Sequence, residues 1–153
     1  MSLLKVNKPW FGNVPKVSFG TIANAQGGSA ISSASNYVDV TTAGDLGLLV
    51  DSIVINSNDS AAANVVVAIK RSGTYYPLGV VNVPINAGST GAIVTIDVLD
   101  NSVIKGLPIN TQGDYYLRLE ADDVLAFKVL VAVTNTAGIA LRITVSGVEF
   151  ESE

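Results

Sequence analysis

The chain contains neither cysteine nor histidine among its 153 residues. Without cysteine it can form no disulfide, supply no thiolate nucleophile and build no cysteine-based zinc site. Without histidine it lacks the commonest general base and metal ligand, so every Ser-His or Cys-His dyad is excluded. Carboxylate and lysine mechanisms remain open. These absences favour a protein that is not an enzyme and that holds no metal and no cofactor.

Charged residues are scarce as well. They make up 14% of the chain, against about 25% in typical soluble proteins, while 48% of the residues are hydrophobic. A surface so poor in charge indicates that other subunits cover part of it. The alternative is a well-packed monomer coated in Ser, Thr, Asn and Gly.

The few charges are unevenly distributed. Residues 1–20 contain Lys5, Lys8 and Lys16 and no acid, a charge of +3, whereas the remainder carries −7; together they give the net charge of −4. An acidic body is a poor candidate for binding nucleic acid. The basic segment can dock on an acidic surface, including a neighbouring copy, or simply keep a flexible end soluble.

Long hydrophobic runs are missing too. The longest, Val124–Val133, is interrupted by Lys128 and is half the length that spans a bilayer. The first residues contain no apolar core typical of a signal peptide. We therefore expect no membrane partner.

Residues 1–20 predict an extended N-terminal arm, followed by one domain over residues 21–153. Pro9, Gly12, Pro15 and Gly20 interrupt regular structure there. The only tryptophan of the chain, Trp10, precedes Phe11 in this segment. Two large rings at a proline-bracketed terminus typically anchor against the protein's own body or a partner.

The rest of the chain alternates strands and turns. Segments rich in Val, Ile, Thr and Tyr, bounded by Gly, Asn, Asp, Ser or Pro, predict eight strands. They are Asn36–Thr41, Leu48–Asn56, Asn64–Arg71, Tyr75–Pro84, Ala92–Leu99, Asp114–Glu120, Val124–Thr134 and Ile139–Phe150. No window has a helical stripe. The predicted fold is all-β, a single antiparallel β-sandwich of jelly-roll type.

Period-two alternation is clear in "DYYLRLE" and "LRITVSG" and incomplete in "VLAFKVLVAV". In the last segment one row is apolar, and the row that holds Lys128 is only partly polar. Either that strand is central and covered on both faces, or its outer face meets another subunit.

Three groups of side chains are candidates for chemistry. Asp122-Asp123 lies between two predicted strands, where adjacent carboxylates point apart, so we interpret it as a turn. Asp97, Asp100 and Asn101 offer oxygen ligands, but their spacing is not that of a calcium loop, and an Asx turn is favoured. Tyr75, Tyr76, Tyr115 and Tyr116 can stack on sugars; alternatively, one tyrosine of each pair packs in the core.

Two stretches carry a resemblance to a known class. "SNYVDVTTAGDLGLLVDSIVINSNDSAAANVVVAIKRSGTYY" and "YYLRLEADDVLAFKV", followed by "LRITVSGVEF", resemble segments of structural proteins in tailed-phage virions. The resemblance covers residues 37–150 and consists of strand and turn chemistry. Asp122 stands where such proteins usually have glycine. The small size and leading arm are similar to those of head decoration (cement) proteins.

The resemblance implies a non-enzymatic protein that is made in the host cytoplasm and lies on the outer capsid surface of a virion. Its partners would be the major capsid protein and further copies of itself, with a homotrimer favoured. The class has no catalytic residues to carry over. The arm residues expected to make the contacts are Lys5, Lys8, Trp10, Phe11 and Lys16.

Two alternatives remain at this stage. One is a phage tail or fibre module that binds a receptor or glycan through its tyrosines. The other is a carbohydrate-binding or cell-surface β-sandwich module of a cellular protein, which the missing signal peptide and single-domain length disfavour.

Overall fold

The computed structural model describes residues 14–23, 27–134 and 138–150. Within these ranges the protein is all-β and contains no helix. Nine strands follow one another along the chain: β1 (Val14–Ala23), β2 (Val38–Thr42), β3 (Leu48–Ser57), β4 (Ala63–Arg71), β5 (Thr74–Val83), β6 (Ile96–Asp97), β7 (Leu117–Leu119), β8 (Val124–Val129) and β9 (Ile139–Glu149).

The strands form two antiparallel sheets. In sheet A the order is β1-β9-β3-β6, and β7 also pairs with β3. In sheet B the order is β2-β8-β4-β5. One hydrophobic core cluster has members in both sheets, such as Ile53 and Ile143 in sheet A and Val65 and Phe127 in sheet B. The sheets thus share a core in the manner of a β-sandwich.

The strand pairs are nested along the chain. β1 pairs with β9, β2 with β8, β3 with β7 and β4 with β5. The innermost pair is a hairpin whose two central residues, Ser72 and Gly73, have φ angles of 49° and 82°. Two positive φ angles are typical of the two-residue type I′ turn, which matches the twist of its strands. The chain is therefore organised as one long folded hairpin.

Each of the eight predicted strand segments overlaps an observed strand. β6 and β7 are shorter than predicted, and β8 ends at Val129 rather than at Thr134. The predicted alternation in β9 is confirmed, because Leu141, Ile143 and Val145 are buried while Arg142 is exposed.

One strand was not predicted. β1 begins at Val14 and therefore includes residues 14–20 of the segment that the sequence analysis assigned to the arm. The strand was not predicted because Pro15 and Gly20 are residue types that usually interrupt strands. Proline is tolerated near the start of an edge strand, and Gly20 allows close packing, since a Cβ there would meet the Val40 side chain. Residues 1–13 lie outside the described residues.

β8 occupies the centre of sheet B, between β2 and β4. Leu125, Phe127 and Val129 on one face and Ala126 and Lys128 on the other are all 0% exposed. The incomplete alternation predicted either a central, doubly covered strand or an intersubunit face. The first alternative is confirmed, and a loop of the same chain supplies the contacts to Lys128.

Candidate functional site

Asp122 and Asp123 form the turn between β7 and β8. Asp122 is exposed and has a φ of 62°, in the left-handed region that aspartate tolerates at turns. Asp123 is 1% exposed, and its amide donates to the carbonyl of Glu120 over 3.2 Å. One carboxylate faces solvent and the other is buried. The turn interpretation is therefore confirmed, and the two side chains form no joint site.

The Asp123 carboxylate forms a bidentate ion pair with Arg71. Arg71 Nε donates to Oδ1 at 2.7 Å and Arg71 Nη2 to Oδ2 at 2.5 Å, while the Glu120 amide donates to Oδ2 at 2.9 Å. The hydrogen bonds from Arg71 hold the pKa of Asp123 below its usual value, although burial acts in the opposite direction. The pair joins the end of β4 to the β7–β8 turn, which is a structural role.

Lys128 is a buried cation whose contacts are neutral groups. Its Nζ donates to the carbonyls of Ala30 at 2.6 Å and Ser33 at 2.5 Å and lies 4.5 Å from the centroid of the Tyr37 ring. Burial lowers its pKa, because the charged form is desolvated. The ammonium therefore fastens the loop of residues 27–37 to the outer face of sheet B.

A tyrosine stack extends from this anchor. The rings of Tyr37 and Tyr75 lie 4.0 Å apart between centroids and nearly parallel, at 7°. Tyr75 also donates to Asp39, which forms an ion pair with Lys70 at 2.8 Å. Beside the stack lies a cavity of about 240 Å³. Because Tyr37 covers one face of Tyr75, that face is not available to a sugar ring, whereas Tyr76 is 54% exposed.

A third buried charge, Asp59, joins two loops. It is 1% exposed and accepts hydrogen bonds from the Ser60 amide at 2.7 Å and from the Thr134 hydroxyl at 2.5 Å. The Thr134 amide also donates to its carboxylate. Asp59 thus ties the β3–β4 connection to the segment after β8. This role of Asp59 was not predicted from the sequence, although its place in the polar turn "NSND" is a signal for side-chain capping.

A concave surface larger than the cavity beside the tyrosine stack lies next to β3. β6 pairs with Val54 and Ile55, and β7 pairs with Leu48 to Val50, so Asp51 lies between the two contacts. A groove of about 1100 Å³ opens there. Its lining, here called the acidic groove, includes Leu49, Asp51, Asp97, Leu99, Asp100, Ile109, Asp114, Tyr115 and Tyr116.

The predicted Asx turns are present at the rim of this groove. Asp97 Oδ1 accepts the Leu99 amide at 3.0 Å, and Asp100 Oδ1 accepts the Ser102 amide at 2.6 Å. Hydrogen bonds from Ser102 lower the pKa of Asp100. Asn101 Oδ1 accepts the Gly106 amide. Across the described ranges no three acidic, histidine or cysteine side chains are grouped to hold a metal ion.

Sheet A also presents an exposed apolar edge. β1 is its terminal strand and carries Phe19, 75% exposed, and Val17, 56% exposed. A long edge strand has unpaired backbone groups and, with apolar side chains, is a typical site of association between chains. These two residues are here called the β1 face.

Of the five predicted arm contacts, Lys5, Lys8, Trp10 and Phe11 lie outside the described residues. Lys16 lies on β1, where its Nζ donates to Glu149 Oε1 at 2.9 Å and to the Thr42 carbonyl at 2.6 Å. Lys16 thus anchors the start of β1 to β9 and to the end of β2 within its own chain.

Comparison with models of known protein families found no match, and comparison with curated proteins likewise found none. No helix that could cross a membrane occurs in the ranges that the structure describes.

Proposed function

We propose that this protein is a non-enzymatic structural component of a phage virion, a decoration protein that attaches to the outer capsid surface and stabilises the shell. The observation that carries the proposal is the nested pairing of β1 with β9, β2 with β8, β3 with β7 and β4 with β5. This is the order expected of a jelly roll, a fold frequent in viral capsid domains and also used by lectins.

The chemistry of the buried charges supports a structural role. Asp123 is hydrogen-bonded to Arg71, Asp59 to Thr134, and Lys128 to two loop carbonyls. Each of these contacts fastens a turn or loop to the sandwich. Side chains committed to such bonds strengthen a scaffold that acts through its surface.

The attachment surface in this proposal is the arm with the adjoining β1 face. Lys5, Lys8, Trp10 and Phe11 precede β1 in the sequence, and Phe19 on β1 is an exposed apolar side chain. The partner is the major capsid protein, and further copies of this chain, favoured as a trimer, occupy equivalent positions. Many symmetric copies multiply modest contacts into stable attachment.

Co-sedimentation with capsid shells from a phage that encodes the chain tests the proposal. We expect the wild-type protein to sediment with shells, and Phe19→Ser and the double variant Trp10→Ala, Phe11→Ala to lose most of that binding. Val131→Ser is the matched control, because Val131 is 71% exposed, close to the 75% of Phe19, and lies beyond the end of β8.

Absence of sedimentation by the wild-type protein would contradict the decoration role. Equal binding by all variants would leave that role standing and refute the attachment surface. Binding to a glycan panel without binding to shells would instead support the tail or fibre alternative.

A further inference from the structure

We propose that the acidic groove is the docking site of the N-terminal segment of the same chain, residues 1–13, in the free protein. The inference concerns an intramolecular contact between a groove and a segment that lies outside the described residues. It holds or fails independently of what the protein attaches to.

The charges of the two partners are complementary. Four carboxylates line the groove, from Asp51, Asp97, Asp100 and Asp114, and none of its lining residues is lysine or arginine. Positive charges occur at its margin, where Lys105 acts on Asp100 and Arg118 is the cross-strand neighbour of Leu49. Residues 1–13 carry Lys5 and Lys8 and no acid.

The apolar surfaces are complementary as well. The groove presents Tyr115 and Tyr116 half-buried and Ile109 56% exposed. The segment carries Trp10 and Phe11, whose rings bury large areas when they find such a wall. A basic segment with two aromatic rings fits a groove with both acidic and aromatic lining better than a neutral or acidic ligand does.

Strand register places the start of β1 close to the groove. Pro15 pairs with Val148, and Val148 pairs with Leu49, which lines the groove. Two steps between neighbouring strands are about 10 Å. The three side chains form an apolar row across sheet A, from the end of the arm to the groove.

The tether is long enough for the required contacts. Trp10 is four residues before Val14 and can lie up to about 13 Å from it, and Lys8 up to about 20 Å. Trp10 can therefore reach Leu49, and the lysines can reach the carboxylates beyond it. So short a tether gives an effective concentration in the millimolar range, roughly, which favours docking within one chain over docking between dilute chains.

The chain provides its own probe, because Trp10 is its only tryptophan. In the full-length protein, collisional quenching of Trp10 fluorescence by acrylamide should be several-fold weaker than in the urea-unfolded chain. The protection should not change with protein concentration. It should decrease with added salt, which screens the contact between charges.

The decisive variant removes negative charge from the groove and retains the side-chain oxygens that stabilise its turns. Asp51→Asn, Asp100→Asn and Asp114→Asn together should raise the quenching of Trp10 toward that of the unfolded chain. Asparagine retains the side-chain oxygen that accepts the Ser102 amide at position 100, and circular dichroism checks the fold.

The matched control removes three exposed acids elsewhere, through Asp45→Asn, Glu120→Gln and Asp122→Asn, and should leave the protection intact. Unprotected Trp10 in the wild-type protein would overturn the proposal. So would equal protection in both triple variants. Protection that rises with protein concentration would assign the groove to the arm of a second copy and refute the intramolecular contact.

Discussion

Asp123 and Lys128 lie five residues apart on one turn and strand and are both buried, yet their charges are balanced differently. Asp123 faces a guanidinium, with Arg71 bonded to both carboxylate oxygens. Lys128 faces two carbonyl groups and an aromatic ring. The first charge is neutralised by an opposite charge, whereas the contacts of the second, within the described part of the chain, are with carbonyl dipoles and the π-electrons of Tyr37.

The difference appears in the direction of the two pKa shifts. For Asp123 the pKa falls, so the folded state favours the charged form. For Lys128 the pKa also falls, but in a base this means that the folded state disfavours the charged form. An ion pair at a partly open site stabilises the fold. A buried ammonium among dipoles positions a loop, but its desolvation lowers the stability of the folded state.

The largest expected change in the free energy of unfolding is caused by substitution of Lys128. Lys128→Ala removes a buried aliphatic stem and both loop bonds and should lower the free energy of unfolding by about 3 kcal/mol. Lys128→Met keeps the stem and removes the buried charge, so it should lie within about 1 kcal/mol of wild type. Urea denaturation measures both. A loss in Lys128→Met as large as in Lys128→Ala would mean that the charge itself is essential.

The next effect is at the β7–β8 turn. Asp123→Asn breaks the ion pair with Arg71 but keeps an acceptor for the Glu120 amide, and should cost about 1–2 kcal/mol. The neighbour Asp122→Asn is the control and should be nearly neutral, because asparagine tolerates its positive φ. Thermal denaturation ranks the two variants. Equal destabilisation would show that the turn, not the ion pair, carries the stability.

The stability difference between wild type and Asp123→Asn should depend on pH in the acid range. Because the folded pKa of Asp123 is depressed, its contribution is present above the unfolded aspartate pKa of about 3.9 and is lost as pH falls through the folded value. The stability difference between wild type and Asp123→Asn should therefore shrink in that range. Denaturation curves from pH 6 down to about 2 test this, and a constant difference would contradict it.

The smallest expected effect is a change, at alkaline pH, in the stability difference between wild type and Lys128→Met. Because the folded pKa of Lys128 is depressed, the unfolded chain binds more protons just below the ordinary lysine pKa of about 10.4. Wild type should therefore gain stability relative to Lys128→Met as pH rises through the folded value toward that pKa. Tyr37, whose pKa is raised by burial, is present in both proteins, so its titration largely cancels. A flat difference would mean that Lys128 is not destabilised by burial.

Sequence alone predicted the parts of the fold that depend on local patterns. Strands such as β3 and β9 alternate buried positions with half-buried or exposed ones, and the Ser72-Gly73 turn has glycine at the second of its two positive-φ positions. β1 was missed because Pro15 and Gly20 break the local signal, and only the pairing with β9 makes them compatible with a strand.

The candidate surfaces could be predicted only in part. The apolar neighbours of Lys128 predicted a face covered either by this chain or by another subunit, but they did not identify the loop carbonyls that hold it, which are 95 and 98 residues distant in the chain. The acidic groove brings Asp51 together with Asp97 and Asp114 through strand pairing. No spacing rule connects these residues, so the groove could not be derived before the topology was known.

The nested pairing also determines how this chain can fold as it leaves the ribosome. β9 lies between β1 and β3, so sheet A cannot close until residues near the end of the chain are synthesised. β4 and β5 can form their hairpin early, but the edges of β1 and β3 remain open until then. Folding dominated by such distant pairings is slow and exposes unpaired edges to aggregation, so the expression yield of this protein should depend strongly on synthesis temperature and on chaperones.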